Sequence, residues 1–193
     1  MGVTTQALLD AKADPNKASR NRVTALGLAA EVGNVKSVEL LLRGNADDVK
    51  ASVDMGNGDG KDSTPLIDAA SLGHLKVVQE LLLAGGRHPL ACSRLRGRSN
   101  GANPCCCFAQ ANRNKGNTDG KTALIAATEN GHEDVVKLLL NLGSHLLKNL
   151  KQMEAKDVNQ LTTKGLNALN FARGNKPIIE LLKKAGAVEH TAS

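Results

Sequence analysis

The chain has almost no aromatic residues: two Phe and neither Trp nor Tyr among its 193 residues. A core made from what remains, Leu, Val, Ile and Ala, suits closely packed helices. It argues against a large β-sandwich, which draws on β-branched and aromatic side chains. Cysteine is scarce too, at four residues. That is too few for a disulfide scaffold and points to a reducing compartment, cytoplasmic or nuclear. Long apolar runs are missing, and none approaches the roughly 18 residues of a membrane span. The opening Ala7-Leu8-Leu9 is broken at once by Asp10, unlike a secretory leader. Gln6 stands where a myristoylation motif needs Ser or Thr.

The net charge of +6 is local. Residues 87–118 carry Arg87, Arg94, Arg96, Arg98, Arg113 and Lys115 with no Asp or Glu, and the rest of the chain is neutral. Such a stretch could touch phosphates, which leaves a nuclear or nucleic-acid-associated regulator as an alternative function. With Phe108 as its single aromatic, base stacking is nearly unavailable, and a solvated loop is expected.

The same stretch contains "ANPCCCFAQ" at 102–110, three of the four cysteines side by side. A zinc site wants Cys-x-x-Cys pairs, and adjacent thiols chelate one ion poorly. A lasting disulfide is disfavoured in a reducing compartment. S-acylation of Cys105, Cys106 and Cys107 beside arginines is the remaining chemistry, weighed against an exposed, oxidisable loop; the loop is expected. Elsewhere "DMGNGDGKD" (54–62) offers Asp54, Asn57, Asp59 and Asp62, but off calcium-loop spacing and with Pro65 where the closing Glu belongs. No metalloprotease, nucleophile-elbow or phosphate-loop motif occurs. The chain is expected to be non-enzymatic, with no cofactor and no metal.

What is present is a repeat. "TALGLAAEVGNVKSVELLL" (24–42), "TPLIDAASLGHLKVVQELLL" (64–83), "TALIAATENGHEDVVKLLL" (122–140) and the shorter "NALNFARGNKPIIELL" (167–182) share one pattern. Thr24, Thr64, Thr122 and Asn167 are placed to cap a short helix, and Pro65 suits its first position. Ala pairs at 29–30, 69–70 and 126–127 allow a close neighbour. Gly33, Gly73, Gly131 and Gly174 end that helix. A second helix follows with apolar residues at i, i+3, i+4 spacing, such as Val35, Val38, Leu41 and Leu42, and stops at Gly44, Gly85, Gly143 or Gly186. One such unit has too little apolar surface to fold alone, whereas stacked units share a continuous core.

The T-[AP]-L starts, the Ala pairs, Gly-His at 73–74 and 131–132, the Leu pairs and the closing "KKAGA" (183–187) resemble an ankyrin-repeat protein. The resemblance implies an all-α solenoid over residues 1–188. It would hold a half repeat at 5–16 and repeats at 17–46, 54–86, 112–143 and 157–187, with 189–193 as a tail. His74 and His132 take the family's structural place. No His follows T-[AP]-L; Gly27, Ile67, Ile125 and Asn170 stand there, so the bracing that this His gives the family is expected to be missing. The half repeat leaves the N-terminal edge poorly capped.

The repeat starts lie further apart than the family's spacing of about 33 residues. "DPNKASRNR" (14–22), "NRNKGNTDG" (112–120) and "DVNQLTTKG" (157–165) keep one distance to the following Thr or Asn. The surplus is therefore expected after each second helix, as insertions 47–53, 87–111 and 144–156. In the last, Leu146, Leu147, Leu150 and Met153 fall at helical spacing and would prolong the helix.

The resemblance also implies binding of another protein by a monomeric module, through hairpin tips and the inner faces of the first helices. Carried onto this chain, that surface is Arg20, Asn21, Val23, Glu31 and Val32 in repeat one and Lys61, Ser63, Ser71 and Leu72 in repeat two. Repeat three adds Thr118, Asp119, Lys121, Thr128 and Glu129.

Overall fold

The computed structural model describes residues 2–44, 51–57, 60–83, 111–140 and 153–190. In chain order the elements are α1 (Gly2–Asp10), α2 (Ala25–Glu31), α3 (Val35–Arg43), α4 (Pro65–Ser71) and α5 (Leu75–Leu83). There follow α6 (Ala123–Glu129), α7 (Glu133–Leu140), the single turn α8 (Ala155–Val158), α9 (Ala168–Phe171) and α10 (Lys176–Lys184). No strand occurs among the described residues; the only β pairing there is the isolated bridge Asn57–Ser63.

Each short helix begins as its sequence dictates. The hydroxyl of Thr24 accepts from Gly27 N (3.1 Å), that of Thr64 from Ile67 N (3.3 Å) and that of Thr122 from Ile125 N (3.4 Å). Asn167 forms a reciprocal capping box with Asn170. At the far end of α2, Gly33 N donates to Ala30 O and Asn34 N to Ala29 O, the paired bonds of a Schellman stop. The same pair recurs after α4 and α6.

Two layers result. The first helices α2, α4, α6 and α9 stack in one row, and α1, α3, α5, α7 and α10 stack in the other. Between the rows lies an aliphatic core in which Leu26, Leu66 and Leu124 occupy equivalent, almost fully buried positions, joined by Val38, Leu81, Leu82, Leu139, Ile178 and Leu182. Truncating any of these Leu side chains to Ala would cost about 2–5 kcal/mol. Ala30, Ala70 and Ala127 are fully buried where first helices approach.

Several residues at the expected insertion boundaries are packed against the repeats. Ala51 and Val53 are buried, and Ala51 N donates to Leu41 O (3.1 Å). Ala111 N does the same to Leu81 O (3.3 Å). Ala51, Val53 and Ala111, expected within insertions 47–53 and 87–111, are thus packed against the stack. Met153 is buried as well, and α8 begins at Ala155, inside the stretch assigned to insertion 144–156. Part of the first surplus lies in the second hairpin, closed by Asn57 and Ser63, whereas Ser19–Val23, Asn117–Lys121 and Thr162–Leu166 close shorter ones. Cys92, Cys105, Cys106, Cys107, Arg87, Arg94, Arg96, Arg98, Leu146, Leu147 and Leu150 lie outside the described residues, as does Asp59 of the calcium-like stretch.

The repeats are braced despite the missing family His. His74 Nε2 donates to Glu31 O and His132 Nε2 to Ser71 O, each at 3.0 Å, tying each second helix to the preceding first helix. At the hairpin tips, Thr118 donates through both N and Oγ1 to Lys61 O, and Thr163 does so to Asp119 O. Along the far edge, Asn16 Oδ1 accepts Ser52 N (2.6 Å) and Asp54 Oδ1 accepts Asn112 N (3.0 Å). Where the family His would stand, Gly27 instead leaves room for the Asn57 amide. A Cβ on Gly27 would sit 1.9 Å from Asn57 Oδ1.

Candidate functional site

The first-helix row and its hairpin tips form the face on which partner contacts were expected. Four tip positions are equivalent, each three residues before a capping residue: Asn21, Lys61, Asp119 and Lys164. All are exposed. Arg20, Thr118, Glu31, Val32 and Leu72 are exposed too, and Ser71 is half-buried with Oγ accepting from Asn130 Nδ2 (3.1 Å). The Thr118 hydroxyl is committed to Lys61 O, so it holds the tips together as well as facing solvent.

Two expected contact residues are withdrawn from the surface. Ser63 is buried in its hairpin bridge to Asn57, and Thr128 is buried on the inner side of α6. Val23 is half-buried. Spacing along the chain alone does not tell which side of a hairpin or helix end turns inward.

Lys121 and Glu129 do not act separately. Their charges meet at 2.6 Å, and the Lys121 ammonium also lies 5.3 Å from the centre of the Phe171 ring in the next repeat. Cation and ring attract through the ring quadrupole. This cluster joins repeats three and four.

Two residues on the tips were missed. Arg22 (φ 62°) and Asp62 (φ 50°) adopt a left-handed backbone, and their side chains pair across adjacent tips at 3.6 Å. Repeats three and four place Gly120 and Gly165 at the same position. That contrast is visible in the sequence, because a charged residue where its counterparts are Gly carries a conformational cost.

Among the described residues no three His, Cys, Asp or Glu side chains group as a metal site. Burial pushes the Arg113 guanidinium below its ordinary value, partly offset by Asp157, and Arg113 Nη1 donates to Leu139 O at the end of α7 (3.0 Å). Lys115 Nζ likewise donates to Asp54 O (2.5 Å). Among the described residues no helix is long and apolar enough to cross a membrane.

Stacked helix pairs with a bonded ladder of hairpin tips define a helical repeat protein. A family model described as ankyrin repeats (three copies) matches residues 3–91 and again 90–192, and the chain belongs to the ankyrin-repeat family. Ankyrin repeats are in general protein–protein interaction modules, and the family is typically non-enzymatic. No curated protein sequence matches the chain.

Proposed function

We propose that this chain is a non-enzymatic adaptor that binds a protein partner through its hairpin tips and first helices, as a monomer in the cytoplasm or nucleus. One observation carries the reading: equivalent positions hold more than one residue type at the tips and first-helix ends and a single type in the core. Asn21, Lys61, Asp119 and Lys164 share a position, as do Glu31, Ser71 and Glu129, while Leu26, Leu66 and Leu124 repeat beneath them. Variation that packing does not require is what specificity needs. The tip ladder through Thr118 and Thr163 holds these side chains at fixed spacing, which lowers the entropy lost on binding.

The contact set supported here is Arg20, Asn21, Arg22, Glu31, Lys61, Leu72 and Asp119. Both described cations of the 87–118 stretch, Arg113 and Lys115, are engaged with backbone carbonyls. Among the described residues no observation favours the nucleic-acid alternative.

The test is quantitative capture of partners from lysate by the wild type beside Glu31→Lys/Lys61→Glu/Asp119→Lys. Lys121 and Glu129 are left alone because they hold repeat four. A partner lost only from the triple variant supports the face of tips and first helices; a partner retained equally by both refutes it.

A further inference from the structure

Charge is sorted by row on the face of tips and first helices. The first helices α2, α4 and α6 carry Glu31, Asp68 and Glu129 and neither Lys nor Arg. The first two tips carry Arg20, Arg22 and Lys61, all exposed, against Asp62. Tip three bears the exposed Asp119, so carboxylates bound the cationic cluster along the stack as well as toward the helices.

The cluster is held in place. Tip one is closed by Ser19 N donating to Val23 O (2.9 Å), Arg22 N to Ser19 O (2.9 Å) and Val23 N to Ser19 Oγ (3.2 Å). Tip two is fixed through Lys61 O, which accepts both bonds from Thr118. Arg22 keeps a left-handed backbone where repeats three and four use Gly, yet its side chain is 73% exposed, so core packing does not account for it. Strained residues of this kind cluster at sites that clamp a ligand. The guanidinium already faces one carboxylate, that of Asp62 on the next tip, at 3.6 Å. That is longer than a close charge-assisted bond, so the pair is loose and open to a second carboxylate.

We propose that Arg20, Arg22 and Lys61 take a short acidic segment of a partner protein, its Asp or Glu carboxylates lying across tips one and two. The proposal rests on the binding of a protein by the tips and first helices, and adds the chemistry of what is bound. Arginine presents a planar fork that matches a carboxylate, and donors held on closed turns lose little entropy on binding. A nucleic acid or an anionic membrane fits less well. A continuous row of phosphates meeting these tips would also run against Asp119 and the acidic first helices, and like charges brought together cost affinity. A segment with a few carboxylates avoids both.

The probe is a fluorescein-labelled peptide of repeating Gly-Glu-Glu, with repeating Gly-Gln-Gln as its neutral counterpart, titrated with the full chain by anisotropy. Saturable binding of the acidic peptide alone is expected at an ionic strength of about 0.01 M, weaker at about 0.15 M. Arg20→Gln/Arg22→Gln/Lys61→Gln should weaken it at least about tenfold. The thermal midpoint of that variant should stay near the wild type, since all three side chains are exposed and Lys61 joins the ladder through its carbonyl. Asp62→Asn removes the competing carboxylate and suits the φ of 50°, so it should tighten binding about two- to threefold. Glu180→Gln, an exposed site on α10, should not. Absent binding, binding unchanged in the triple Gln variant, or a loss caused instead by Arg94→Gln/Arg96→Gln/Arg98→Gln overturns the proposal. So does tighter binding of oligo-dT or phosphatidylserine vesicles through the same three cations. Each of these results leaves the reading of the face standing, because that reading falls on a different result, retention of the lysate partner by Glu31→Lys/Lys61→Glu/Asp119→Lys.

Discussion

The imidazole of His74 lies against Gly33 of the preceding repeat, so close that a Cβ on Gly33 would fall 2.7 Å from the ring. Gly73 and His132 repeat the relationship one unit later. The contact places His74 Nε2 on the Glu31 carbonyl, and it leaves Gly33 constrained twice, by its φ of 74° and by its neighbour.

Gly33→Ala should therefore destabilise the protein by about 2 kcal/mol in urea denaturation, combining left-handed strain with a clash. His74→Ala removes a bond worth about 1 kcal/mol. In the double variant the clash is gone, so the combined loss should be smaller than the sum of the two. Strict additivity would show that the ring does not set the cost at Gly33.

At Gly27 the obstacle is the Asn57 amide. Gly27→Ala should cost about 1–3 kcal/mol, and adding Asn57→Ala should restore part of it. Restoring the family's His at position 27 should be worse than Ala in the wild-type background. A Gly27→His protein as stable as the wild type would contradict the packing described.

Thr128 has a buried hydroxyl with no hydrogen-bond partner among the described residues. Thr128→Val keeps the shape and removes the unpaired group, so it should raise stability by about 1 kcal/mol. A loss of stability on thermal or urea unfolding would mean that the hydroxyl is satisfied in solution.

Arg22 holds a left-handed conformation that its counterparts assign to Gly. Arg22→Gly should increase stability by about 0.5 kcal/mol, the strain relieved slightly exceeding the flexibility gained by the unfolded chain. The exposed ion pair with Asp62 contributes little to set against this. If the tips contact a partner, the same variant should bind it more weakly while folding more stably.

Much of this was legible in the residues. The capping Thr24, Thr64 and Thr122, the Gly stops and the aliphatic periodicity are local signals, and local hydrogen bonding realises them. The structural place of His74 and His132 is legible, but not their bonds to Glu31 O and Ser71 O, which span 43 and 61 residues. The burial of Ser63 and Thr128 and the fit of Asn57 into Gly27 depend on hairpin register between repeats. No spacing along the chain encodes that.

The edge ladder ends at a defect. Asn114 stands where Asn16 and Asp54 accept an amide from the next repeat, but α8 turns Asp157 N back to Glu154 O, and Asn114 Oδ1 is buried without a partner among the described residues. Repeat four is also shorter, with Asn175 near Gly131 where the earlier seams have a His ring. In a nearly one-dimensional array, stability is shared seam by seam, so the seam between repeats three and four is where the column parts first. Amide exchange should show α9 and α10 opening as a unit while α4 and α6 remain protected. Repeat four then behaves as a hinged leaf on a firmer spine, and the Lys121–Phe171 contact is its latch.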